Sequence, residues 1–210
     1  MRAHPVPDPE AERLRVAGLD EVGRGPLAGP VVAAAVVLPP GLPWPPGLVD
    51  DSKRMTHAAR LRADALIRAA GDVGVGMASV AEVEALNPLG ASLLAMRRAF
   101  DALPVAPDLA LVDGAHLPPL PCPARAVPGG DRRSLAIAAA SVVAKVWRDA
   151  LMVALAPQHP EYGWERNKGY GSQSHIRALQ AHGITPHHRR TFAPVHKMLW
   201  QAPTRDLAEH

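Results

Sequence analysis

Four carboxylates stand where an α/β sheet would bring its ligands together. Asp20 and Glu21 follow an apolar segment and precede a Gly-Arg-Gly turn, Asp113 ends a second apolar segment, and Asp131 precedes a long helical pattern. Open α/β folds place their ligands at the rim where strands end, so these side chains could converge there. Taken singly, Asp113 before a glycine suits a turn and Asp131 suits a helix cap. Together they predict one acidic site.

The chemistry of such a site is that of a divalent metal ion. Carboxylates held close together repel, so either cations neutralise them or some stay protonated. Hard oxygen ligands select Mg²⁺ or Mn²⁺ over zinc. Because adjacent strand residues point to opposite faces, Asp20 and Glu21 share a site only if the strand ends or bulges there. We expect such an irregularity beside the site.

Alternating strands and helices must position these acids. Strands are predicted at 16–19, 31–38, 73–80, 109–112 and 124–127. Helices are predicted from Ser52 or Thr56 to about 70, and at 81–86, 88–103, 134–155, 172–182 and 194–201, with a loop from 157 through Tyr170. This order indicates an α/β domain followed by a small helical extension.

The composition excludes several classes of protein. A chain of 210 residues that is 48% hydrophobic and 20% charged is not disordered throughout. The longest apolar run, 31–38, is far shorter than the ~20 residues of a membrane-spanning helix, and the N-terminus lacks a secretory signal. The single cysteine, Cys122, cannot form an internal disulfide and is expected to be buried or half-buried. These features predict a cytoplasmic protein.

Positive charge is concentrated near the C-terminus, although the net charge is only +3. Residues 162–200 contain one acid, Glu165, against six lysines or arginines and five histidines. Such a segment forms a positive face that attracts phosphate, and we expect Arg189 and Arg190 to contact it. A solvated basic surface without a partner is the alternative.

The chain resembles ribonuclease HII, the bacterial type 2 ribonuclease H, over about 17–194. The first matching segment, DEVGRGPLAGP at 20–30, is highly specific. The others follow in family order: DSK at 51–53, LN at 86–87, VDG at 112–114, GD at 130–131, AASVVAKVWRD at 139–149, KGY at 168–170 and HHRR at 187–190.

The resemblance implies a ribonuclease H-like fold, with a five-stranded mixed sheet flanked by helices and a C-terminal helical extension. It implies hydrolysis of the RNA strand of RNA–DNA hybrids, and cutting at single ribonucleotides in duplex DNA. Two Mg²⁺ or Mn²⁺ ions would be held by Asp20, Glu21, Asp113 and Asp131, and the products would carry a 3′-hydroxyl and a 5′-phosphate. Asp149, well along the long helix, is expected to be structural and paired with a nearby base.

The resemblance also implies a division of the chain and a set of partners. We expect a loose tail at 1–15, a catalytic domain at 16–157 and a helical extension at 158–210 that completes the substrate-binding face. The expected partners are RNA–DNA hybrid and ribonucleotide-containing duplex DNA, bound by a monomer without a membrane. The sequence does not decide whether a sliding clamp binds.

Substrate recognition is implied at five residues. Only the 2′-hydroxyl separates RNA from DNA locally, and the resemblance assigns its recognition to the backbone of Gly23, Arg24 and Gly25. Tyr170 would stack on the following sugar, although a tyrosine there could equally be surface packing. Lys53 is a candidate phosphate contact.

Three further residues carry open interpretations. Asn167 stands where some family members have histidine, so its role is undecided. His187 and His188 suggest a metal site, but no cysteine joins them, and we favour hydrogen bonding or phosphate contact over zinc.

Two other functions compete with this one. One is a non-catalytic hybrid-binding module whose basic tail supplies the affinity. The other is a ribonuclease HIII-like enzyme, although the roughly sixteen residues before the first strand are too few for its additional domain.

Overall fold

A five-stranded mixed sheet forms the centre of the computed structural model, which describes residues 5–41, 52 and 55–200. The strands are β1 (Val16–Val22), β2 (Val31–Val37), β3 (Asp72–Ala78), β4 (Leu109–Asp113) and β5 (Ala124–Val127). The helices are α1 (His57–Ala70), α2 (Val80–Asp101), α3 (Leu135–Leu155), α4 (Trp164–Asn167), α5 (Gln173–His182) and α6 (Ala193–Trp200).

The strand order is β3-β2-β1-β4-β5. The first three strands of the chain form an antiparallel meander, and β4 and β5 then add in parallel on the other side of β1. The mixed sheet, the flanking helices and the C-terminal helices confirm the expected fold class.

The sheet lies between two helical layers because β2 is apolar on both faces. Ala33 and Ala35 pack in a core with α2, whereas Ala34 and Val36 pack in a second core with α1 and α3. Parallel and central strands buried on both sides read as continuous apolar runs, as β2 does. The small residues of α3 allow that helix to lie close to the acid-bearing strand β1.

The two helices predicted at 81–86 and 88–103 form one element, α2, which is interrupted at Asn87. The backbone of Asn87 is non-helical, and its side-chain oxygen accepts from the N–H groups of Leu89 and Gly90 at 2.9 and 3.2 Å. Asn87 therefore caps the second half of the helix, and Pro88 occupies the first turn, where its missing N–H costs nothing.

The C-terminal helices form a third core with the turn between β1 and β2. Trp164 and Leu179 are fully buried in it, together with Leu27 and Ala28 of the turn. The loop predicted through Tyr170 contains the four-residue α4, which is too short to show helical periodicity. Within the described ranges, no helix combines the length and apolar character needed to cross a membrane.

Candidate active site

The acid-bearing end of β1 has a strand neighbour on one side only. Its parallel pairing with β4 ends at Leu19, whereas its antiparallel pairing with β2 continues to Val22 without a break in register. No bulge interrupts β1 at Asp20 and Glu21, and the strand ends one residue later, at Val22. The departure of β4 leaves the edge of β1 open beside these residues, and both side chains line one cavity there.

That cavity brings the four predicted acids together. Its volume is about 560 Å³. It is lined by Asp20, Glu21, Asp113 and Asp131, together with Val22, Ser52, Arg60, Ser141, Lys145 and Tyr170. The carboxylates come from β1, from the end of β4 and from the short 3₁₀ turn before α3.

Burial and nearby like charge both act on the two acids of β1 at this rim. Burial raises the pKa of Asp20 well above its usual value, and the charges of Glu21 and Asp113 raise it further. Burial also raises the pKa of Glu21, while Arg24, whose guanidinium lies 3.4 Å away, opposes that shift. A cation in the cavity would relieve this repulsion.

Asp113 and Asp131 are connected through the backbone. The Asp113 carboxylate accepts a hydrogen bond of 2.7 Å from the N–H of Gly130, which ties the end of β4 to the turn carrying Asp131. The helix cap suggested for Asp131 is wrong, because the hydroxyl of Ser134 caps α3 by accepting from the N–H of Ile137.

The donor set fits a hard divalent cation. Among the residues that the structure describes, no three His, Cys, Asp or Glu side chains are placed to hold a metal ion by themselves. Mg²⁺ sites commonly use one or two carboxylates and complete the coordination with phosphate oxygens and water. The cavity therefore suits an ion whose coordination a bound phosphate would complete.

Two residues of α3 at the cavity escaped the sequence analysis. Ser141 and Lys145 are four residues apart, which places them on one face of the helix. The Ser141 hydroxyl lies 2.9 Å from that of Ser52, and the Lys145 ammonium lies 2.7 Å from the buried Asp149 carboxylate. The second contact confirms Asp149 as a structural ion-pair partner. The i, i+4 spacing of Ser141 and Lys145 is the feature of the sequence that could have indicated their shared position.

The turn at 23–30 begins with two glycines that differ in surroundings. Gly23 has a φ of +97°, and a Cβ there would lie 2.7 Å from the Pro30 carbonyl oxygen and would overlap the Arg148 side chain. At Gly25 a Cβ would meet nothing within 4 Å, and Arg24 and Gly25 are both exposed. Gly23 is thus required by the protein's own packing, and Gly25 is not.

Backbone hydrogen bonds hold the second half of this turn between two other segments. The N–H of Leu27 donates to the Gly169 carbonyl at 2.8 Å, and the N–H of Gly29 donates to the His187 carbonyl at 2.9 Å. The turn is therefore held by both the KGY and the HHRR segments, which explains how distant parts of the sequence form one surface.

A buried arginine also supports the turn. The Arg148 guanidinium donates to the carbonyls of Pro30, Ala28 and Lys168 at 3.0, 3.0 and 2.9 Å. It thereby connects α3 to the turn and to the loop that carries Tyr170.

Arg189 is not a phosphate contact, contrary to the sequence-based expectation. Its side chain is fully buried and donates to the carbonyls of Gly23, Arg24 and Gly29 at 2.6 to 2.9 Å. Burial, and to a smaller extent the charge of Arg148, lower the pKa of Arg189 to about 9, so the group stays protonated at neutral pH. Arg190, the next residue, is exposed.

Tyr170 lies at the cavity with 43% of its surface exposed. The Lys145 ammonium is 5.8 Å from its ring centroid and the Arg148 guanidinium carbon is 5.9 Å away. Asn167 shapes the preceding loop by donating to the Tyr162 carbonyl and accepting from the Gly169 N–H. Of the other predicted contacts, Lys53 lies outside the described residues.

A chain of buried hydrogen bonds reaches the Tyr170 backbone. The backbone N–H of Thr185 donates to Nδ1 of His188 at 3.0 Å, and Nε2 of His188 lies 3.0 Å from Nε2 of His175. Because the Trp164 indole also donates to that His175 nitrogen, His175 carries its proton on Nδ1 and donates to the Tyr170 carbonyl at 2.9 Å. Burial lowers the pKa of His188 to about 3. The hydrogen-bonding interpretation of His188 is confirmed.

Comparisons with known proteins agree with this geometry. The family model described as Ribonuclease HII matches residues 17–202. The Ribonuclease HII of Ruegeria pomeroyi is 60% identical over 189 residues, which cover 90% of this chain and 80% of the relative. The Ribonuclease HII of Rhodospirillum rubrum is 58% identical over 201 residues, 92% of each chain.

A solved structure shows the same fold. The crystal structure of the ribonuclease H2 from Pyrococcus horikoshii OT3 superposes with a TM-score of 0.71 at 25% identity. The match covers 87% of this chain and 96% of that one.

Proposed function

The chain belongs to the ribonuclease HII family of endoribonucleases, and we propose that it cuts the RNA strand of RNA–DNA hybrids and also cuts at single ribonucleotides in duplex DNA. We propose Asp20, Glu21, Asp113 and Asp131 as its metal-binding catalytic residues. The products would carry a 3′-hydroxyl and a 5′-phosphate. A monomer is the proposed active form.

One observation carries this proposal: four carboxylates from three separate elements line one cavity. Burial raises the pKa values of Asp20 and Glu21, and the nearby charge of Asp113 raises both further. A rim of four carboxylates suits a site that takes divalent cations together with phosphate.

Two Mg²⁺ or Mn²⁺ ions would supply an activated water and stabilise the leaving oxygen. The carboxylates of the rim would hold those ions and fix their distance from the substrate. Water adds to phosphorus, the bond from phosphorus to O3′ breaks, and O3′ leaves with a proton. Lys145, whose ammonium lies at the cavity wall, adds positive charge near the phosphate.

The turn at 23–30 and Tyr170 are proposed to find the ribonucleotide. Exposed backbone at Arg24 and Gly25 lies next to the acid-bearing end of β1, so a sugar contacted there has its phosphate near the carboxylates. The exposed Tyr170 ring lines the same cavity and would stack on the neighbouring sugar. Lys53 is retained as a proposed phosphate contact.

The proposed division of the chain follows these contacts. Residues 16–157 would form the catalytic domain, residues 1–15 a tail, and 158–210 an extension that completes the substrate-binding face. The third core and the backbone hydrogen bonds from Gly169 and His187 to the turn support this role of the extension.

The test uses a labelled DNA duplex with one internal ribonucleotide, incubated with Mg²⁺, Mn²⁺ or chelator, with the cut mapped on a sequencing gel. We expect one cut that depends on the metal, with a 5′-phosphate on the downstream fragment. The all-DNA duplex of the same sequence is the control and should stay intact. Binding without cutting under all conditions would instead support the non-catalytic binding module.

A further inference from the structure

All the hydrogen bonds that the Arg189 side chain donates go to backbone carbonyls of the turn at 23–30. Its Nε and Nη2 both donate to the Gly29 carbonyl, Nη2 also donates to the Gly23 carbonyl at 2.6 Å, and Nη1 donates to the Arg24 carbonyl at 2.9 Å. The guanidinium is fully buried and also lies 5.0 Å from the Phe192 ring centroid. Two successive carbonyls at the start of the turn therefore point inward to one cation.

The direction of those carbonyls fixes the direction of two amides. In a trans peptide the C=O and the following N–H point in opposite directions, and no described peptide bond is cis. With the Gly23 and Arg24 carbonyls turned towards Arg189, the N–H groups of Arg24 and Gly25 point away from it. Within the described residues neither N–H makes a hydrogen bond, and both residues are exposed. The turn therefore offers two adjacent donors outward.

We propose that Arg189 is a positioning residue that sets selectivity for the 2′-hydroxyl, an inference that rests on the proposed recognition of ribonucleotides by this turn. It holds the N–H groups of Arg24 and Gly25 in the orientation that donates to a ribose oxygen. Arg189 touches no substrate. Without it, both peptides can rotate and the donors lose their common direction.

Only an arginine can perform this task from this position. A guanidinium presents five donors in a rigid planar fork, whereas a lysine ammonium is a single flexible point. Arg148, which is also buried, binds the carbonyls of Ala28 and Pro30 and supports the far half of the turn. Arg189 is the one whose hydrogen bonds end on Gly23 and Arg24.

The test compares wild type with Arg189→Lys, which keeps the charge and loses the fork. Affinity is measured by fluorescence anisotropy in chelator, so that no cleavage occurs, for two duplexes of identical sequence. One duplex carries a single ribonucleotide and the other is all DNA. We expect the ratio of the two affinities to fall about tenfold in Arg189→Lys, while affinity for the all-DNA duplex stays within twofold.

Ile67→Val serves as the control for loss of stability. Ile67 is fully buried in the core between α1 and α3, away from the turn, so this variant destabilises without touching the amides. It should keep the wild-type affinity ratio. An unchanged ratio in Arg189→Lys, or an equal loss on both duplexes, would overturn the inference. If wild type itself shows no preference for the ribonucleotide, ribonucleotide recognition by the turn fails as well.

A second measurement stands even if Arg189→Lys does not fold. In ¹⁵N-labelled wild type, addition of the ribonucleotide duplex should shift the amide resonances of Arg24 and Gly25 more than addition of the all-DNA duplex. Equal shifts with both duplexes would show that these amides do not contact the 2′-hydroxyl, and the role given to Arg189 would be withdrawn.

Discussion

The acidic rim and the turn at 23–30 lie side by side, but the protein treats them in opposite ways. At the rim, burial raises the pKa of Asp20, and the charges of the neighbouring Glu21 and Asp113 raise it further. In the turn, by contrast, the buried charges belong to two arginines that are hydrogen-bonded to the backbone. The buried guanidinium groups of Arg148 and Arg189 donate to the carbonyls of Gly23, Ala28, Gly29 and Pro30. These hydrogen bonds offset the cost of burying the two charges.

This difference indicates which part of the site is preorganised before the substrate binds. A buried charge that lacks a partner is costly, whereas a buried charge with all its hydrogen bonds made rigidifies its surroundings. The rim therefore depends on ligands from outside, and the turn is preorganised by its own chain. Substitutions at the rim should therefore act through the binding of metal and phosphate, whereas substitutions in the turn should act through its backbone geometry.

The largest effect is expected at the rim from Asp113→Asn. The amide oxygen can still accept from the Gly130 N–H, but one anionic ligand is lost. Since metal stabilisation of the transition state is worth several kcal/mol, kcat should fall about a thousandfold. The free energy of unfolding without metal should rise, because repulsion of Asp20 and Glu21 decreases.

Single-turnover cleavage in Mg²⁺ and denaturant unfolding in chelator measure the two quantities. A variant as active as wild type would remove Asp113 from the site. A variant that is inactive because it is unfolded would leave the charge argument without support and make Asp113 a structural residue.

The next effect concerns the turn and uses its two glycines as a matched pair. Gly25→Ala should leave folding intact, since a Cβ there meets nothing within 4 Å. It should nevertheless lower kcat/KM on the single-ribonucleotide duplex by about a hundredfold, because the added methyl group displaces the sugar. Gly23→Ala should instead lower the melting temperature, because it clashes with Pro30 and Arg148.

Melting curves and kcat/KM for both variants decide this pair. If Gly25→Ala cleaves normally, substrate does not approach the turn at that residue. If both variants merely lose stability, the two glycines do not differ in the way their surroundings indicate.

A smaller loss is expected at Tyr170, where the preorganised side of the site exposes an aromatic ring. Tyr170→Phe should retain most activity, whereas Tyr170→Ala should lose about tenfold to a hundredfold if the ring stacks on a sugar as aromatic rings stack on bases. The loss should be greatest for a lone ribonucleotide, because a long hybrid offers many registers. Measurement of kcat/KM on both substrates at fixed salt tests this, and equal damage from Phe and Ala would implicate the hydroxyl instead.

Sequence reasoning predicted the alternation of strands and helices, and the acids that meet at the cavity, because these follow from apolar periodicity and strand ends. It could not predict the partners of Arg189. In sequence Arg189 and Arg190 look alike, yet one is fully buried and the other is exposed. The distinction depends on a long-range contact of HHRR with the 23–30 turn, which no local pattern encodes. The open edge of β1 beside Asp20 and Glu21 was missed for the same reason, since it depends on where β4 departs.

Acid should lower the free energy of unfolding through the buried His188, whose ring belongs to the hydrogen-bond chain that reaches the Tyr170 backbone. Its folded-state pKa of about 3 lies below the usual 6.5, so the neutral ring is favoured in the fold. The stabilisation is complete above pH 6.5 and is lost as pH falls from there towards 3. Since one pKa unit is worth 1.36 kcal/mol, the loss should exceed about 1.4 kcal/mol.

Denaturant unfolding at pH 7.5, 5.5 and 4.5 checks this effect in wild type and His188→Gln. The variant lacks the titrating ring, so its unfolding free energy should depend less on pH than that of wild type. His182→Gln, at an exposed position on α5, is the control and should keep the wild-type profile. Parallel profiles for His188→Gln and wild type would contradict the assignment.

The smallest effect is expected at Arg190, and it separates general affinity from selectivity. Arg190 is exposed, and its backbone N–H donates to the Glu84 carboxylate, so Arg190→Ala removes a surface charge while that backbone contact can remain. If the side chain meets a phosphate, the slope of log affinity against log salt should flatten by about 0.9, equally for the ribonucleotide and the all-DNA duplex. Arg68→Ala, on the exposed side of α1, is the control and should keep the wild-type slope. A change in the ratio of the two affinities would mean that Arg190, like Arg189, acts on the turn, because a phosphate contact cannot distinguish the two sugars.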